Sequence, residues 1–213
     1  GTSLTATGAG LTQSGALVAP TATFTSTGAT DIVLGDVTNN FGTAVVTSGQ
    51  NATLVDAGAV ILGAHNVAGN LAWTATAGGG ITNTGALAIG GNSTFTAATG
   101  QDISVANAGN NFTGTVTFVG TGGSLANVSV LDTTALNLLP LTVDTNLTAQ
   151  GAGLTQSGGN LVVPGTATFT STGAAADIVL NAAGNNFGTA VVTSGRDASL
   201  TDVGGVILGT HNI

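Results

Sequence analysis

Two sets of aspartates, Asp31, Asp102 and Asp177 in one and Asp56, Asp132 and Asp202 in the other, are the side chains in this sequence best equipped for chemistry. Acid–base attack on a polysaccharide, as β-helix lyases and hydrolases carry it out, needs carboxylates or a basic residue converging at one unique site. Here each set recurs with its surrounding sequence. Recurrence reads as structure, and the expectation is that these aspartates cap turns, which Asp tolerates while bonding local backbone N–H groups.

The remaining candidates reduce in the same way. His65 and His211 also recur and lie far apart, so satisfied turn or face histidines are expected rather than metal ligands. Gly100-Gln101-Asp102-Ile103 shares the Gly-x-Asp-x-apolar pattern of calcium-binding nonapeptides, but those stack many units in immediate succession. Trp73 stands where the first repeat has Thr5; a packing variant is expected in preference to an exposed sugar platform. Alternating Thr21, Thr23, Thr25 and Thr27 return only as Thr166, Thr168, Thr170 and Thr172, too seldom for an ice-binding rank on every coil. Five Asn-x-Ser/Thr sequons, at Asn51, Asn92, Asn111, Asn127 and Asn146, follow from a composition rich in Asn and Thr. No catalytic, cofactor-binding or metal residue is assigned, and the expected protein is not an enzyme and carries no cofactor.

What positions these residues is a repeat. Thr21-Ala22-Thr23-Phe24-Thr25-Ser26-Thr27-Gly28, Asp31-Ile32-Val33-Leu34 and Asn39-Asn40-Phe41-Gly42 return as Thr166 to Gly173, Asp177 to Leu180 and Asn185 to Gly188. A looser copy between them has Ser93-Thr94-Phe95-Thr96, Asp102-Ile103-Ser104-Val105 and Asn110-Asn111-Phe112. The chain therefore divides into repeat A (1–68), repeat B (69–144) and a second A (145–213), with Phe24, Phe95 and Phe169 marking nearly equal offsets. A near-constant period of this kind is the signature of a solenoid.

Composition selects the strand form of solenoid. Charged residues make up 5% of the chain, so good surface helix formers are almost absent, while Thr, Val, Ile, Asn and 35 Gly favour short strands between turns. Runs such as Ile32-Val33-Leu34 and Val60-Ile61-Leu62 end at Gly, Asn or Asp every few residues. The expectation is an all-β, parallel β-helix of roughly ten coils, about 48 Å long, built as one continuous solenoid that is a segment of a longer array. If coils keep one length, Leu11, Ile32 and Leu54 should stack, as should Leu4, Phe24 and Val45. Phe24 and Phe41 should then lie on different faces of adjacent coils. The step from Phe24 to Phe95 is not a whole number of such coils.

Charge excludes two functions. A net charge of −8 with one arginine leaves no basic footprint for nucleic acid or an anionic membrane surface. No apolar run is long enough for a membrane helix, and with no cysteine, stability must come from the stacked backbone. Uncapped ends would make the partner either the chain itself, stacked end to end, or further repeats of the same polypeptide.

The phrases Gly69-Asn70-Leu71, Gly80-Ile81-Thr82-Asn83-Thr84-Gly85-Ala86-Leu87, Ser93-Thr94-Phe95-Thr96-Ala97 and Gly100-Gln101-Asp102-Ile103 resemble repeats of large bacterial exoproteins of the filamentous-haemagglutinin type. The resemblance implies a right-handed β-helix shaft, exported by two-partner secretion or as an autotransporter. It implies an extracellular or cell-surface place and a role in adhesion, biofilm or a surface filament, with host or matrix glycans as possible ligands. A carbohydrate-active or glycan-binding β-helix is the alternative.

Overall fold

The computed structural model describes residues 3–213, and among them the chain forms strands and turns with no helix. Gly1 and Thr2, with which repeat A begins, lie outside the described residues. The strands pair in parallel into two sheets, one of thirteen strands and one of ten. Each coil adds a member to both, so the second sheet counts about ten coils in a parallel β-solenoid built from three tandem repeats.

Alternation of residue type explains the strands. Along Val18–Ser26 the side chains of Ala22, Phe24 and Ser26 are buried while Thr23 and Thr25 are half exposed. β-Branched threonine suits the outward positions of such a strand. The inward residues make one apolar cluster running from Ala19 to Val192. Each fully buried Leu, Ile or Phe in it contributes roughly 1.5–3 kcal/mol.

Coil length is not constant, and the stacking differs from the expected trios for that reason. Leu11 does pair with Ile32, but Ile32 pairs with Ala52, and Leu54 sits on Leu34. Leu4 pairs with Ala22 rather than Phe24, and Phe24 pairs with Val46 rather than Val45. A short coil carries Leu136 to its stacked partner Leu154, and a much longer one carries Ile103 to Val128. Bulges absorb part of the difference, one between Phe24 and Thr25 and its counterpart between Phe169 and Thr170. Phe24 and Phe41 belong to the same sheet, and their rings meet edge-on at 5.5 Å inside the solenoid.

The fractional offset has a structural meaning. Thr23-Phe24-Thr25 lies in the first sheet, whereas its middle counterpart Thr94-Phe95-Thr96 lies in the second. Asp31-Ile32-Val33-Leu34 is in the second sheet, and Asp102-Ile103-Ser104-Val105 crosses to the first. One repeat thus carries the chain three coils plus one face. From Val18–Ser26 to Leu161–Ser171 there are seven steps along the first sheet, so the second A repeat returns to the original face.

Two equivalent glycines lie in close contact with the coil below. Gly42 and Gly188 follow Phe41 and Phe187, and a Cβ at either would collide with the carbonyl oxygen of Pro20 or Pro164 one coil below. The Asn-Asn-Phe-Gly phrase therefore needs its glycine.

Candidate functional site

The polar groups of the solenoid are arranged as staples between coils. Asp56 lies fully inside; its carboxylate accepts the N–H of Phe41 at 2.5 Å from the preceding coil and that of Gly58 at 2.7 Å. Asp132 does the same for Phe112 and Thr134, and Asp202 for Phe187 and Gly204. The local bond is the expected turn cap; the bond to the phenylalanine of another coil was not foreseen. Burial pushes the Asp56 carboxyl above the usual carboxylate range, while its bonds from Phe41 and Gly58 oppose the shift. These carboxylates are spent on backbone donors and lie a repeat apart, so they form no convergent acid–base pair.

Asp31, Asp102 and Asp177 are a second kind of staple, and here the turn-cap expectation is corrected. Asp31 Oδ1 accepts from the backbone N–H and side-chain amide of Asn51 on the next coil. Asn51 Oδ1 accepts from Asn70 N–H, Asn70 from Asn92 N–H, and Asn92 from Thr115 N–H, at 2.8–3.0 Å. A second ladder runs from Asp102 through Asn127 and Asn146 to Thr166. An aspartate heads each ladder because a carboxylate only accepts, whereas asparagine passes the pattern on.

At Asp177 the ladder begins differently. Asp197 stands where Asn51 stands in the first repeat, and Arg196 replaces Gln50. The guanidinium bridges Asp177 at 2.7 Å and Asp197 at 3.4 Å, offsetting the repulsion of two neighbouring carboxylates. Its hydrogen bonds hold the Asp177 carboxyl below its ordinary value.

A third cluster escaped the sequence reading. The first asparagine of each Asn-Asn-Phe, Asn39, Asn110 and Asn185, is completely buried. Asn39 Oδ1 accepts from Leu17 N–H and the Gln13 amide, and its Nδ2 donates to the Leu34 and Val55 carbonyls. Asn185 repeats this with Leu161, Gln156 and Leu180, and Asn110 with Leu87, Asn83 and Val105. The signal available was the amide ending Leu11-Thr12-Gln13, Ile81-Thr82-Asn83 and Leu154-Thr155-Gln156 ahead of each motif.

His65 and Trp73 meet in the interior. His65 Nδ1–H donates to the Gly63 carbonyl at 2.9 Å, and its Nε2 accepts Trp73 Nε1–H at 3.0 Å, which fixes one neutral tautomer. Burial lowers the His65 pKa to about 4. Trp73 is wholly enclosed, stacked between Leu54 and Phe95 and edge-on to Phe41 at 6.4 Å, so it is a packing residue and offers no face to a sugar. His211 is exposed, bonded to the Gly209 carbonyl.

The sequons have a structural origin. At Asn51, Asn127 and Asn146 the side-chain amide donates within a ladder, the next residue points inward, and the following Thr or Ser faces outward. A corner asparagine before a strand generates the pattern without reference to glycans. Among the described residues no cluster of three or more His, Cys, Asp or Glu is placed to hold a metal ion, and no helix is long and apolar enough to cross a membrane. A shallow groove of about 470 Å³ crosses Val60, Gly80, Thr82, Asp102 and Asn127, and the Asp102 carboxylate beside it is held by Asn127.

A family model described as "Repeats of unknown function (DUF5649)" matches three successive stretches of the chain, residues 1–48, 49–119 and 125–194. No curated protein and no solved structure matches.

Proposed function

The chain belongs to the DUF5649 repeat family, and from that premise we propose that this structural solenoid is a segment of a bacterial surface shaft or extracellular filament. The observation that carries the proposal is the single apolar cluster threading the coils, Ala19 to Val192, with its polar staples recurring by repeat. A rod so built transmits force along stacked backbone ladders, and each staple ties one coil to the next. Its role is mechanical rather than catalytic, and with so few charges the stack is little disturbed by salt. The extracellular place, and a part in adhesion or biofilm, follow the resemblance of the chain's repeats to exoproteins of the filamentous-haemagglutinin type.

Electron microscopy of native material bearing this sequence, before and after SDS, with fractionation of the cells, tests the reading. Thin rods or fibres at the cell surface, with strand spacing near ~4.8 Å along the axis, are expected. Compact particles, or rods confined to the cytoplasm, overturn it.

A further inference from the structure

The aspartate at the head of each polar ladder has a neighbour one coil on whose side chain differs from repeat to repeat. Gln50 donates its backbone N–H to the Thr30 carbonyl, Ala126 to that of Gln101 and Arg196 to that of Ala176, so the three occupy one place beside Asp31, Asp102 and Asp177. In the second A repeat that place supplies a guanidinium, which donates to both oxygens of the Asp177 carboxylate at 2.8 and 2.7 Å. In repeat B it supplies only the methyl group of Ala126. The carboxylate is kept and its cation is not.

Room is left where the longer side chain would lie. Ala126 and Asp102 line the groove of about 470 Å³ described above, together with Gly80, Gln101 and Ile61. Gly80 cannot be enlarged, because a Cβ there would stand 2.5 Å from the Asp102 carbonyl oxygen. Asp102 is exposed and uses only its Oδ1, which accepts twice from Asn127. Among the described residues its Oδ2 and the Gln101 side chain take part in no hydrogen bond, which leaves two acceptors beside the apolar surface of Ile61, itself 39% exposed.

We propose that this groove is a docking site for an arginine side chain of a basic protein partner, which would stand to Asp102 as Arg196 stands to Asp177. Three observations favour a guanidinium. The chain itself places one on the equivalent carboxylate. A planar fork of donors suits two acceptors, Asp102 Oδ2 and Gln101 Oε1, and the aliphatic stem has Ile61 to lie along. The net charge is −8 and the single arginine is engaged at Asp177, so the cation has to come from another molecule. At Asp31 the same place is taken by Gln50, which lacks the gap that Ala126 leaves. The site adds partner recognition to the mechanical role and does not depend on it.

Titration of the isotope-labelled native chain with a capped tripeptide carrying arginine between two glycines, followed by amide chemical shifts, tests the proposal. Saturable shifts are expected at Gly80, Gln101, Asp102, Ala126 and Asn127, with half-saturation on the order of 1 mM because an exposed ion pair contributes little, and they should fade in high salt. The same peptide with neutral citrulline in place of arginine should leave these amides unmoved. Ala126→Arg supplies a guanidinium from within, as Arg196 does, and Asp102→Asn keeps an acceptor for Asn127. Each should weaken the response at least about tenfold with the β-sheet circular dichroism unchanged. Shifts spread over all the aspartates, shifts that persist with the citrulline peptide or in a folded Ala126→Arg chain, or no response in the native chain overturn the proposal. The two titrations of the native chain decide it even if a variant does not fold.

Discussion

His65 and His211 occupy the same place in two copies of one repeat, yet one is sealed in the interior and the other stands in solvent. The residues around them are nearly the same; what differs is the coil above. Burial in a solenoid is conferred by the next coil of the chain, so equal sequences acquire unequal energetics.

Equivalent leucines make the largest test. Leu62→Ala should cost about 2–5 kcal/mol in denaturant unfolding, because it empties a closed core. Leu208→Ala should stay within about 0.5 kcal/mol. Equal losses at both positions would mean that the last coil is covered in solution.

Acid comes next. His65 has a folded pKa of about 4 against an ordinary 6.5, so between those values the unfolded chain binds the extra proton. Stability is complete above about pH 6.5 and should fall by about 2 kcal/mol between pH 7 and 5. The raised carboxyl of Asp56 acts in the opposite sense nearer the carboxylate range, since its protonated form favours the folded state, which is why the scan stops at pH 5. His65→Asn should flatten the slope; a slope that persists assigns it elsewhere.

The middle repeat supplies a smaller contrast. Ser93 takes the sequence place of Ala22, but its buried hydroxyl has no hydrogen-bond partner. Ser93→Ala should raise stability by about 1 kcal/mol, read as a higher melting temperature, and a fall would reveal a bond to the hydroxyl. Arg196→Gln, restoring the residue of the first repeat, should have the smallest effect, visible at low salt and gone at high salt.

The solenoid was legible because repetition and short in-out strands such as Thr23-Phe24-Thr25 need no long-range information. Register was not legible, because bulges and corner insertions let a coil shrink or grow without disturbing the alternation that the sequence displays. The change of face in repeat B was hidden for a related reason: every face is a parallel strand with the same alternation, so Asp-Ile-x-Leu on one sheet and Asp-Ile-x-Val on the other read alike. The packing partners of Trp73 were not legible, because Leu54 and Phe95 arrive from other coils. The aspartates were half legible. Bonds from Asp56 to Gly58 are local, but those to Phe41, and from Asp31 to Asn51, close only when coils stack.

The advance of three coils and one face per repeat also bears on how a gene for such an array can change. Deleting a single repeat by recombination would rotate everything beyond it to the neighbouring face, so a surface feature downstream would point elsewhere. Deleting or adding a pair moves the downstream part by seven coils, about 34 Å, and leaves its heading unaltered. Changes of copy number in pairs therefore preserve the direction in which a downstream feature points, and odd changes do not.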